Sequence, residues 1–165
     1  MRHILAAGVL AFAVAFGWPA LAVEQSFDQK FAADAAKDSL AEVELGKLAL
    51  DKSKDARVRE FAERMIQDHS KANRQLESIA GSAGISLPSE PGEKLQQPMK
   101  KLSGLSGKKF DHAYAQAMVK DHEKAVKLFG QCERKCTNQE VREFAKETLP
   151  VLQEHLAMAR TMVKT

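Results

Sequence analysis

From Ser26 to the C-terminus apolar residues recur at alternating steps of three and four, the spacing that lines one face of an α-helix. Val58, Phe61, Ala62, Met65, His69, Ala72, Leu76 and Ile79 form one such stripe, with a histidine set into it. The pattern predicts four helices, over about residues 27–52, 55–80, 108–135 and 138–163. Thr137 and Glu140 fit a capping box at the start of the fourth, and Pro150 inside it is expected to kink it.

Glycine and proline divide the pattern unevenly. GSAGISLPSEPG (81–92) breaks helical order, and a basic stretch follows in which Gly104 and Gly107 bound any short helix. The segment 81–107 is too long for a hairpin turn, whereas the segments on either side of it are joined tightly in pairs. Two helical hairpins linked by one long crossover is the connectivity of a ferritin-like four-helix bundle; an up-down-up-down bundle does not need that length. The expected fold is therefore all-α, one ferritin-like domain over residues 23–165. The halves also echo each other, FAERMIQDHSKAN (61–73) against YAQAMVKDHEKAV (114–126), and VREFA occurs at both 58–62 and 141–145. A doubled hairpin explains both, and such a bundle can place a site on its pseudo-two-fold axis.

Residues 1–22 have a different character. Arg2 and His3 precede the uncharged run ILAAGVLAFAVAFGW (4–18), and Ala20-Leu21-Ala22 supplies a small-x-small site. This reads as a secretory signal peptide cleaved after Ala22. The run is shorter than the roughly 20 residues a membrane span needs, and no second candidate follows. The mature chain is expected to lack a transmembrane span and to reside in the periplasm or cell envelope.

Composition narrows the partners. The chain is 44% hydrophobic and 28% charged with a mean hydropathy of −0.35, values of a soluble globular protein. Its 25 Lys and Arg are interspersed with 22 Asp and Glu, so the net +3 is a small imbalance and not a nucleic-acid-binding patch. Lys94, Lys100, Lys101, Lys108 and Lys109 read as a solvated surface, with an envelope protein or lipid surface as the alternative contact. Cys132 and Cys136, four apart on one helical face, leave three readings open: a disulfide, which an exported protein can keep, a soft-metal thiolate pair, or two idle thiols. Their spacing is not that of a zinc site.

The histidines carry the candidate chemistry. His69, His122 and His155 fall on the apolar stripes of three different helices, and Glu42 lies near the middle of the first. At a rise of 1.5 Å per residue, antiparallel packing brings these side chains to similar depth in the core, where a carboxylate and several imidazoles suit zinc, copper, iron or manganese. Met65 and Met118 each precede a histidine by one turn, and thioether with imidazole favours copper, particularly Cu(I). The candidate metal ligands are thus Glu42, Met65, His69, Met118, His122 and His155. The competing reading is a metal-free polar core in a structural or interaction module, with histidines bonded to Glu42 or Glu44 and methionines as filler.

Catalysis finds less support. The Glu-x-x-His motif of di-iron bundles is absent, because Ile66, Val119 and Leu152 stand three residues before the histidines. Asp68 and Asp121 cannot substitute, since neighbours on a helix point about 100° apart; they are expected to face another helix or solvent, or to cap a polar network. No nucleophile elbow, P-loop or dinucleotide fingerprint occurs. A non-enzymatic protein is expected, with a redox enzyme built on a non-standard metal site as the further alternative.

Together SLAEVELGKLAL, VREFAERMIQDHSKAN, LSGKKFDHAYAQAMVKDHEKAVKLF and TLPVLQEHLAMA resemble the bacterial domain-of-unknown-function 4142 family, often described as predicted outer membrane proteins. The resemblance spans about residues 27–163. It implies a ferritin-like fold in the cell envelope, no established activity, and matching positions at Glu42, Asp68, His69, Asp121, His122 and His155. The motifs are also similar to a neighbouring family of Met-His helical bundles associated with copper. The Cys132 and Cys136 pair lies outside the pattern of the 4142 family. The expected role is an envelope binding or stress-related protein with a transition metal as its candidate ligand.

Overall fold

Side chains set the starts of three of the long helices. In the computed structural model, which describes residues 26–164, α1 (Phe27–Lys52) begins where the Ser26 hydroxyl accepts the Gln29 amide. The Asp55 carboxylate accepts the Arg57 amide at the head of α2 (Ala56–Ala83), and Gly84 ends that helix in the left-handed region that glycine enters without penalty. The crossover carries a short helix, α3 (Glu93–Ser103), and α4 (Gly107–Lys135) and α5 (Gln139–Val163) complete the chain. The signal-peptide segment and its Ala22 cleavage site lie outside the described residues. Among those described there is no strand, and no helix is long and apolar enough to cross a membrane.

The expected capping box at Thr137 does not form. Both the amide and the hydroxyl of Thr137 donate to the buried Asp28 carboxylate, at 2.9 and 2.6 Å, and Asn138 caps α5 by accepting from the Val141 amide. A charged acceptor on another helix outcompetes the local cap. The contact pins the start of α1 to the α4–α5 turn, and a disulfide between Cys132 and Cys136 fastens the same corner. Of the three readings of the cysteines, the disulfide is the one the structure contains.

α1 packs along α2, α4 along α5, and the two hairpins meet through α1 against α4 and α2 against α5. The buried side chains form two apolar cores at opposite ends. One gathers Phe31, Ala35, Leu76, Phe129, Phe144 and Leu152; the other gathers Leu45, Phe61, Met65, Phe110, Tyr114 and Met118. α1 runs from the first core to the second, α2 and α4 run back, and α5 runs forward, so α2 and α4 are parallel. The crossover must therefore traverse the bundle. On its way α3 lies against α1 and α4 and inserts Leu102 into the second core. This is the ferritin-like arrangement.

One close approach sets the α1–α2 spacing. A Cβ added at Gly46 would stand 2.8 Å from Ile66 Cγ1 and 3.1 Å from the Ala62 carbonyl oxygen. Replacing Gly46 by Ala gains about 1 kcal/mol of helix propensity, but pushing two packed helices apart costs about 1–3 kcal/mol. Gly46→Ala is accordingly expected to lower the denaturant midpoint while leaving far-UV helicity intact; a raised midpoint would show that the hairpin tolerates a wider spacing.

Candidate metal centre

A polar layer separates the two apolar cores, and all four long helices contribute to it. Ser39 and Glu42 come from α1, His69 from α2, His122 from α4 and His155 from α5, each set between residues of the first core and residues of the second. The three imidazoles face one another, with centroids 5.8 Å apart for His69 and His122, 5.6 Å for His69 and His155, and 5.4 Å for His122 and His155. One ring nitrogen from each lies within 4.8 Å of the others. All three are buried, and the Phe61 ring stands edge-on to His122 and His155 from the second core.

Each ring is held from outside the cluster by a different kind of partner. His122 Nδ1 donates to the Met118 carbonyl at 2.9 Å, which fixes the tautomer and leaves Nε2 as a bare lone pair. His155 Nε2 donates to Asp68 at 2.8 Å and leaves Nδ1 without a partner. His69 Nδ1 is 3.3 Å from the Ser39 hydroxyl, and its Nε2 is unpartnered. Asp68 is itself gripped by Arg64, whose other nitrogens reach Glu154 at 3.0 and 2.7 Å. Outer hydrogen bonds of this kind are how proteins orient metal-binding histidines.

Burial controls the charge state. It holds His69 well below the ordinary histidine range and His122 down to about 4, with the neighbouring imidazoles adding to the effect. Burial also lowers His155, partly offset by its bond to Asp68. At neutral pH the cluster is three uncharged imidazoles, the state in which histidine ligates metal. Glu42 moves the opposite way: burial, reinforced by Asp121 and Asp38, raises its carboxyl well above the usual range. Burial together with Glu42 also raises the Tyr114 phenol. Glu42 Oε2 and the Tyr114 hydroxyl, like the three inner nitrogens, have no hydrogen-bond partner.

The six candidate residues are thus placed unequally. The three histidines converge, whereas Glu42 stays out of the cluster and lines a cavity beside His69 and His122. Met65 and Met118 are fully buried in the adjoining apolar core and do not line that cavity. Glu44 turns outward to Lys47, and the fourth histidine of residues 23–165, His112, is exposed beside Gln116. Sequence reasoning did not single out Ser39, Arg64 or Glu154. Arg64 alone left a trace, standing one turn before Asp68 on the same helix.

The same fold occurs in solved structures. A DUF305 protein from Streptomyces coelicolor superimposes with a TM-score of 0.70 at 21% identity, over 82% of this chain and 90% of its own. A DUF305 fragment from Deinococcus radiodurans gives 0.72 at 17% identity, over 84% and 95%. CopM in its Cu(I)-bound form gives 0.71 at 13% identity, over 85% and 97%. No curated protein matches the chain significantly. The family model described as "Domain of unknown function (DUF4142)" matches residues 19–162, and the chain belongs to that family.

Proposed function

We propose that this chain is an exported, non-catalytic envelope protein that binds a transition-metal ion, copper foremost, through His69, His122 and His155. The observation that carries the reading is the convergence of three buried imidazoles, each with its outer nitrogen hydrogen-bonded and its inner nitrogen unpartnered. A core histidine layer serving only helix register would have its polar atoms paired, because each buried unpaired group costs about 1–3 kcal/mol. Here the unpaired atoms face one another, as ligands do.

The donor set narrows the metal. Three nitrogens with no carboxylate among them disfavour calcium, magnesium and the di-iron chemistry of other ferritin-like bundles, and suit copper or zinc. Met65 and Met118, one helical turn along the chain from His69 and His122, sit in the adjoining apolar core and not in the nitrogen cluster, and thioethers so near in sequence suit Cu(I). The structural likeness to CopM, solved with Cu(I), Cu(II) and silver, agrees with this choice. Export is supported by the pattern of residues 1–22 and by the Cys132–Cys136 disulfide, which an oxidising compartment preserves. A stress-related role in metal buffering follows from the same chemistry.

Calorimetric titration with Cu(I), Cu(II) and Zn(II), checked by metal analysis, is expected to show one ion per chain bound tighter than about micromolar. Exchanging His69 and His122 together for Ala should abolish this binding, and Asp68→Asn should weaken it by about 10–100-fold. Absence of stoichiometric binding, or equal binding by the double variant, refutes the assignment.

The metal-free protein should also be acid-sensitive. The buried histidines bind protons less readily than they do in the unfolded chain, so their contribution is complete above the unfolded value of 6.5 and declines as pH falls toward the folded value of about 4 for His122. Each histidine adds up to about 1.4 kcal/mol per pH unit within that window. Urea midpoints measured between pH 7 and 4.5 are expected to fall, less steeply for His122→Leu. A variant with the wild-type slope would mean that His122 does not govern the decline.

A further inference from the structure

A buried metal site needs an access route, and the molecule has one residue arrangement suited to it. A cavity of about 790 Å³ between α1, α3 and α4 reaches His69 and His122 from the surface side of the bundle, ample beside the roughly 30 Å³ a water occupies. Along its α1 wall Asp38 and Glu42 stand one turn apart, with Asp34 a further turn out, and Asp121 borders it from α4. The outer carboxylates already hold cations. Lys94 Nζ of α3 is 2.8 Å from Asp38 and 3.8 Å from Asp34, and Lys124 Nζ is 3.1 Å from Asp121. Glu42, the innermost, is 6% exposed and its Oε2 has no partner.

We infer that this cavity is the uptake path for the metal ion, that Lys94 is a tethered stand-in cation closing its mouth, and that Glu42 is the last station before the imidazoles. The inference rests on the metal reading above. An arriving cation replaces the Lys94 ammonium on Asp38 and Asp34, then passes to Glu42, whose Oε2 is bonded by none of the lysines lining the cavity, Lys101 and Lys120 included, and leaves it for three nitrogen ligands. α3 can release Lys94 without detaching, since Leu102 in the core and the Lys52 ammonium donating to the Ser103 carbonyl at 2.8 Å anchor its other end. Glu42 is then a residue of passage, which accounts for its position in the layer but outside the histidine cluster.

The test uses the full chain and inorganic Cu(II), with stopped-flow absorption for the rates and equilibrium titration for the affinity. Lys94→Ala should raise the association rate about fivefold or more and alter its salt dependence, while Glu42→Gln should slow both association and release about tenfold. Both variants should keep the wild-type affinity within about threefold, because neither residue is a resident ligand. Wild-type protein that takes up neither Cu(II) nor, when the titration is repeated with them, Cu(I) or Zn(II) overturns the metal reading and the path with it. Wild-type uptake with unchanged rates in both variants overturns the path alone. A tenfold loss of affinity in Glu42→Gln with association unchanged makes Glu42 a resident ligand, which also overturns it.

Discussion

Three neutral imidazoles facing one another inside an apolar interior are the constraint around which the bundle is arranged. Lone pairs aimed at each other across such short distances repel, and each forgoes the hydrogen bond water would give it. An assembly of this kind persists only if the surrounding structure forbids its collapse. The two apolar cores supply that restraint, one above and one below the layer, with Phe61 closing the layer on one side. The ends are then fastened: Asp28 holds the α4–α5 turn, the disulfide braces the same corner, and Gly46 lets α1 and α2 approach closely.

The internal repeat explains why the two sides of the layer differ. The repeated Asp-His motif lies on α2 and α4, which are parallel, so the pseudo-two-fold axis runs along the bundle and relates α1 to α5. Asp68 on α2 meets α5, where His155 donates to it and Arg64 neutralises it. Asp121 on α4 meets α1, where the residues in the equivalent region are Asp38 and Glu42. An imidazole facing a carboxylate makes a closed pair; three carboxylates facing one another cannot. One side of the layer is therefore sealed, and the other opens as a cavity whose mouth is occupied by lysines from α3 and α4. One element of asymmetry, histidine on α5 against glutamate on α1, separates the closed side of the layer from the side on which the cavity opens.

Much of this was legible in the sequence. Stripes of period three to four give the helices, the uneven spacing of Gly and Pro gives the crossover, and position along each stripe gives the common depth of His69, His122 and His155. Depth is a one-dimensional quantity that a constant rise per residue preserves. Azimuth is not preserved in the same way, because it depends on how each helix is rotated against its neighbours. Height along the stripe therefore locates Glu42 in the layer without revealing that it stands outside the cluster, and helical geometry separates Asp68 from His69 without revealing His155 as its partner. Thr137 failed for a related reason: a capping box is a local pattern, and the Asp28 carboxylate that captured its donors arrives from far away in the chain.

On the metal-binding reading proposed above, the electrostatics of the layer also bear on which oxidation state the ion would take. Three neutral imidazoles add no negative charge, so a bound Cu(I) would leave one net positive charge in an apolar surrounding and a divalent ion would leave two. The desolvation penalty of a buried charge grows steeply with its magnitude. Asp68 offers partial compensation through His155, but its own charge is already shared with Arg64. Glu42 is the remaining carboxylate in the layer, and burial with its acidic neighbours favours its neutral form. A divalent cation nearby would shift that balance toward the carboxylate, whereas a monovalent one would do so less strongly. If the layer holds the transition metal proposed for it, these charges weigh toward a monovalent ion, and Glu42, standing outside the histidine cluster, meets a divalent one only in passage.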